Sequence, residues 1–300
     1  MTATSSPPAE SGLIVLDKPA GWTSHQVVGR VRRLIGTRKV GHAGTLDPMA
    51  TGVLVVGVNR ATRLLGHLSL SDKAYAATIR LGVATVTDDA EGEVVAATGA
   101  TDLADALLAT AVSALTGPIQ QIPSAVSAIK VNGVRSYARV RAGQEVTLKA
   151  RPVVVSQFEV LARREGFAAG VPVLDVDVLV QCTTGTYVRA LARDLGTALG
   201  VGGHLTALRR SRVGPFTVAE AQTLDTDAAG LAMIGLPEVA RRCFATLTLD
   251  DEQTAAVRVG RALTGLVLPA PRSALLSGSG EFLALYQQEP TRAVPEAVFV

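Results

Sequence analysis

The segment Gly41-His42-Ala43-Gly44-Thr45-Leu46-Asp47-Pro48 carries one carboxylate and one imidazole in what its glycines and proline make a loop. Gly52 to Val58 behind it reads as a buried strand, and a loop fixed to a core strand is a rigid mount for a reactive group. Asp47 is therefore a candidate for nucleophilic or acid–base chemistry, set against the plainer reading of a turn-forming aspartate before Pro48. Arg189 and Arg193 lie four apart on a helix carrying Leu191, Leu195 and Leu199. Arg189 falls about 160° around from Leu191 and is free to face a cleft; the alternative is a surface salt bridge with Asp194 or a neighbouring helix. Tyr75 begins the inward face of a strand, as a core aromatic or as a ring at a site.

Other chemistries lack their residues. Glycoside hydrolysis needs two acids placed together, and the Asp47 segment supplies one. Cys182 and Cys243 are far apart and outside any clustered Cys/His spacing, which argues against a metal centre or a disulfide framework. No metal or cofactor is expected. Cys182, at the end of an apolar run, reads as a small buried hydrophobe.

The positioning elements follow from periodicity. Leu13 to Leu16 reads as a short buried strand, followed by a helix that Ser24 caps, whose stripe is Val27, Val28, Val31, Leu34 and Ile35 and which Gly36 ends. Strict alternation from Tyr75 to Leu81 and from Val173 to Cys182 predicts two half-buried strands, and Val153 to Leu161 reads as another. Leu103, Leu107, Ala111 and Leu115 mark a helix that Gly117-Pro118 terminates. Beyond Thr246, short runs at Leu266 to Leu268 and Phe282 to Tyr286 predict a small β-rich unit.

With 300 residues, 48% of them hydrophobic, the chain can bury a core, and no run reaches the roughly 18 apolar residues that a membrane span needs. The N-terminus has no apolar signal core, so the cytoplasm is the expected compartment. Net charge is only +3, but the charges are segregated. Eight Lys or Arg face two Asp between Gly12 and Arg63, and six basic residues face Glu145 from Lys130 to Arg151; Glu220 to Val300 holds ten acids against six bases. Such basic segments suit a polyanion, although solvated basic runs are common.

The run from Gly41 to Leu54 resembles the signature of the TruB-type tRNA pseudouridine synthases. Further similarities follow in order: Leu16-Asp17-Lys18-Pro19, Lys73 to Tyr75, Arg80-Leu81-Gly82, Ile122-Pro123-Ser124 with Ser127 to Lys130, Gly185-Thr186-Tyr187-Val188-Arg189, and Leu208-Arg209-Arg210. Together they span about residues 12 to 215. The resemblance implies an α+β pseudouridine synthase fold, with a mixed, mainly antiparallel sheet flanked by helices. It also implies a disordered tail at 1–11, a catalytic domain at 12–235 with an RNA-gripping insertion at about 123–151, and a PUA-like domain at 246–300.

The implied activity is isomerisation of the uridine at position 55 in the tRNA T loop to pseudouridine, with room for an accessory role in tRNA folding. A base stacked in a folded loop must be flipped out to reach the enzyme. The resemblance makes Asp47 the essential carboxylate, Arg189 its cation and Tyr75 an active-site ring that also meets the base. It assigns Tyr187 and Leu208 to the base pocket, His42 to RNA contact and Asp89 to an acidic position near the site, although Val86 stands where relatives commonly carry Asp. Lys18, Lys130, Arg141 and Arg209 are the expected phosphate contacts. The partner implied is tRNA, with no membrane and no obligatory protein. A non-catalytic RNA-binding module would explain the basic segments but not a lone acid amid the basic N-terminal third.

Replacing Arg139, Arg141 and Lys149 together with Ala is expected to lower the slope of log affinity against log salt by about 2, at roughly 0.7 per single-strand phosphate contact, while base choice is kept. An unchanged slope would move the grip to Gly12–Arg63.

Overall fold

Alternation builds the sheet that carries the site. In Lys73–Leu81 the odd-numbered positions are buried and the even ones half-buried, so the strand shows one apolar face and one polar face. A computed structural model of the chain describes residues 10–124, 148–224 and 230–300, and the backbone of 130–131 and 134–135. Among them, ten strands form one sheet. Its main order is Ile234–Gly235, Gly12–Lys18, Thr51–Val58, Gly203–Val213, Lys73–Leu81, Val171–Cys182, Arg151–Ala168, Gly117–Gln121. Every pairing along that path is antiparallel except one, where Arg209 and Arg210 run parallel to Thr51 and Gly52.

That exception sits directly behind the Asp47 loop. Gly52 has φ +98°, and a Cβ there would lie 2.2 Å from the Arg210 carbonyl oxygen, so the approach of the two strands requires glycine. Helices Asp105–Ala114 and Val188–Ala198 pack on the sheet through Leu108, Val112, Leu191 and Leu195. Helix Ser24–Ile35 covers the sheet at Ile14, Leu16, Leu54 and Val56. No helix among the described residues is long and apolar enough to cross a membrane.

Several boundaries differ from expectation for physical reasons. The cap of the first helix is Thr23, in a capping box with Gln26, while Ser24 is buried and bonds elsewhere. The hairpin of Arg151–Ala168 and Val171–Cys182 runs well past Leu161, because its exposed outer stretch is held by cross-strand pairing rather than by burial. Leu266–Leu268 is not a strand: Pro269 and Pro271 interrupt it, and the Leu268 amide donates to the Gln288 side chain at 2.7 Å instead of to a ladder.

Residues 245–298 form a second sheet of five strands, ordered Ala245–Thr248, Arg272–Leu276, Phe282–Gln288, Arg292–Val298, Leu263–Thr264, beside helix Asp251–Arg258. It is not loosely attached. Ala274, Leu276, Phe282, Leu285 and Phe299 share one buried cluster with Leu13, Val15, Val53 and Val55. Arg60 donates to the Phe299 carbonyl at 2.8 Å, and Arg63 to that of Val298.

Gly52→Ala is expected to cost at least about 2 kcal/mol, since it adds left-handed strain to a backbone clash. Chemical denaturation checks this; an unchanged midpoint would mean that the seam yields freely.

Candidate active site

The Asp47 loop has little regular structure, so its backbone polar groups need other partners. Three side chains from outside it supply them. Ser24 Oγ accepts from the Leu46 amide at 2.9 Å and donates to the Leu46 carbonyl at 3.1 Å. Lys18 Nζ donates to the carbonyls of Pro48, Trp22 and Pro19 at 3.1, 2.6 and 2.9 Å. Arg210, 1% exposed, donates to the carbonyls of Val53, Thr45 and Gly44 at 2.8, 3.3 and 3.1 Å. Gly44 itself sits at φ +95°.

The carboxylate so presented meets a guanidinium. Arg189 Nη2 donates to Asp47 Oδ1 at 3.3 Å and Nε lies 3.0 Å from Oδ2, so the two side chains form a close ion pair with two guanidinium nitrogens beside the two carboxylate oxygens. On its other side Arg189 Nη1 donates to the Thr87 carbonyl at 2.8 Å and lies 3.4 Å from Asp89 Oδ2. The Arg189 and Asp89 side chains are 6% and 4% exposed, against 35% for Asp47. One buried cation is thus shared by two acids, of which only Asp47 opens to solvent.

That opening is a cavity of about 260 Å³. Asp47, Tyr75, Tyr187, Arg189 and Leu208 all line it, together with Lys73 and Arg210. Tyr187 is held by an amide clamp: its N–H donates to Gln121 Oε1 at 2.8 Å, and Gln121 Nε2 donates to its carbonyl at 3.1 Å. Burial pushes the Tyr75 phenol above its ordinary pKa despite the Arg210 guanidinium beside it, so it stays neutral at pH 7. The arrangement joins a carboxylate with a fixed cation, a neutral phenol and an apolar wall of Leu208, which suits proton transfer or nucleophilic attack on a flat polar ligand.

The other residues singled out in the sequence divide. Asp89 stands behind Arg189 rather than in the cavity. His42 lies outside the lining, on the strand Val40–His42, with its ring edge-on to His25 at 5.8 Å. Burial, and then the neighbouring His25, lower its pKa, so the imidazole is neutral at pH 7. Lys18 is corrected from phosphate contact to structural cation: it is fully buried, its donors are taken by three carbonyls, and burial lowers its pKa to about 8. Arg209 points away from Leu208 and Arg210 by strand alternation, and its fork is occupied by Asp17 at 2.6 and 3.0 Å. The side chain of Lys130, and Arg141 altogether, fall outside the described residues.

Arg210, Lys73 and Gln121 carry no site role in the sequence, and Ser24 is expected there only as a helix cap. A signal existed for two of them: Arg210 is two residues beyond Leu208 and Lys73 two before Tyr75, so each shares a strand face with a residue already singled out.

Comparison with known proteins places this geometry. The profile of the TruB family pseudouridylate synthase (N terminal domain) matches residues 32–188, and that of the tRNA pseudouridylate synthase B C-terminal domain matches 189–233. The chain is 59% identical over 283 residues to tRNA pseudouridine synthase B of Cutibacterium acnes, covering 93% of this chain and 94% of that protein. It is 57% identical over 290 residues to the protein of the same name from Nocardia farcinica, covering 96% and 92%. The crystal structure of the archaeal box H/ACA sRNP Nop10-Cbf5 complex contains a chain of similar fold, with TM-score 0.70 and 25% identity, covering 97% of this chain and 87% of that one.

Lys18→Met is expected to destabilise the protein by roughly 2–4 kcal/mol, because it strips a donor from three carbonyls around the loop, whereas Lys39→Met at the exposed surface should change stability by less than about 0.5 kcal/mol. Equal denaturation midpoints for the two variants would refute the structural assignment.

Proposed function

The chain belongs to the TruB family of pseudouridine synthases, and we propose that it isomerises the uridine at position 55 in the T loop of tRNA to pseudouridine, acting alone and without a cofactor. The observation that carries this reading is a carboxylate at the mouth of a 260 Å³ cavity, gripped by a buried guanidinium and faced by a buried tyrosine. Its size fits a single flipped nucleoside rather than a helix or an oligomer, so the base must leave the RNA stack to reach it.

In this reading Asp47 acts at the ribose carbon from which the base departs, and Arg189 fixes the carboxylate's direction. Asp89 holds Arg189 from behind. Tyr75 lies against the base, and its phenol serves the proton transfer at C5; Tyr187 and Leu208 complete the pocket. His42, outside the cavity, is placed to meet the RNA around the flipped nucleotide. Arg209, half-exposed beside Asp17, together with Lys130 and Arg141, is proposed to meet phosphates. The catalytic unit comprises 12–235 with the insertion at about 123–151, and 246–300 form a PUA-like RNA-binding unit; an accessory part in tRNA folding follows from a need to open the loop.

Asp47→Asn is expected to abolish pseudouridine formation in a tRNA transcript while tRNA affinity changes little, and Arg189→Lys to slow single-turnover conversion on the order of 100-fold, since one ammonium nitrogen cannot stand beside both carboxylate oxygens as Nε and Nη2 do. Near-normal turnover by Asp47→Asn would sink the mechanism. Mapping pseudouridine in tRNA from cells lacking the protein tests the position: a position 55 still modified would refute it.

A further inference from the structure

The cavity holds more positive charge than Asp47 requires. Lys73 and Arg210 both line it, are 7% and 1% exposed, and make no ion pair among the described residues. Lys73 Nζ donates to the carbonyls of Ser69 and Ser71 at 3.0 and 2.8 Å, leaving one of the three donors of an ammonium. Lys73 and Tyr75 are two residues apart on one strand, so they project from the same face into the same space. Two buried cations without acidic partners are costly, and such a cost is retained where an anion forms during function.

Resting on the pseudouridine synthase reading, the chemistry supplies that anion. When the C1′–N1 bond breaks, its electron pair stays with the base, and the detached uracil carries negative charge spread over N1 and its two carbonyl oxygens. Meanwhile the electron-poor C1′ is met by the Asp47 carboxylate, which is released as C5 bonds to C1′; that bond takes up the charge of the base, and the proton lost from C5 is matched by one gained at N1. We propose that Lys73 is a further catalytic residue that touches the base: its free N–H, with Arg210 beside it, donates to a carbonyl oxygen of the uracil as that anion forms. The contact is weak to neutral uridine and strong to the anion, so it lowers the barrier more than it tightens binding. Burial, and then Arg210, lower the Lys73 ammonium to about 8, which leaves it mostly protonated at neutral pH.

The test compares two target nucleotides in one T-loop RNA, uridine and 5-fluorouridine, whose base is the more acidic and so needs less help as an anion. Single-turnover rates of glycosidic-bond rearrangement are measured for the full-length wild type and Lys73→Met. The expected result is a loss on the order of 100-fold on uridine and about 10-fold or less on 5-fluorouridine, with RNA affinity little changed and part of the rate restored in Lys73→Arg. The ratio of the two losses is independent of how much of the variant folds. If Lys73→Met gives no soluble protein, Lys73→Gln, which keeps donors for the Ser69 and Ser71 carbonyls, takes its place under the same criterion. Equal losses on both nucleotides, or no loss on either, would overturn the inference. Asp47→Asn in the same assay separates the two readings: an active Asp47→Asn defeats the function itself, whereas an inactive one beside equal losses for the Lys73 variant defeats only the role of Lys73.

Discussion

The carbonyls of the Gly44–Pro48 loop point inward, and a buried carbonyl must find a donor or cost on the order of 1–3 kcal/mol. Here the donors are the ends of two long cations that enter from strands on either side: Lys18 takes Pro48, and Arg210 takes Gly44 and Thr45. Neither strand alone could hold the loop. Lys18 closes the strand Gly12–Lys18, Arg210 belongs to Gly203–Val213, and both flank Thr51–Val58, the strand the loop feeds. The place of Asp47 is therefore set by the order of three neighbouring strands, and the unusual parallel contact at Gly52 brings the third of them close enough.

Electrostatics follow from this arrangement. Cations that serve as scaffolding also raise the potential of the space they enclose, and low dielectric makes that potential larger than at a surface. Asp47 and Asp89 offset Arg189, while Lys73 and Arg210 stay without a carboxylate partner among the described residues. A neutral ligand gains little from such a cavity. A ligand that becomes negative along its reaction path gains most at that moment, which is the condition for catalysis as opposed to binding.

What could be read from the sequence reflects which signals are local. Periodicity and glycine placement belong to neighbouring residues, so the strand at Tyr75, the helix ended by Gly36 and the loop around Asp47 were legible before any contact was known. The fate of the charged residues was not. Whether Lys18 meets phosphate or carbonyl depends on Pro48, thirty positions away, and Ser24 gave its capping place to Thr23 because Leu46 lies within reach of its hydroxyl. Arg209 and Arg210 are adjacent and of one type, yet alternation sends one to Asp17 and the other to the loop, and only the face taken by Leu208 decides which.

The same logic bears on the basic N-terminal third. Of its eight Lys and Arg, Lys18, Arg32, Arg60 and Arg63 donate to backbone carbonyls. Half of these basic residues thus hold the chain to itself, and local charge density overstates what remains for a polyanion. Arg60 and Arg63 follow directly after Thr51–Val58 and grip the last residues of the C-terminal sheet, so one strand carries the Asp47 loop at one end and the clamp on that sheet at the other. With Val53 and Val55 of that strand packed in the same cluster as Phe282 and Phe299, displacement of the C-terminal sheet would strain the strand beneath the site. A C-terminal sheet that only extended the RNA-binding surface would not need this attachment; its shared core ties it to the strand that supports Asp47.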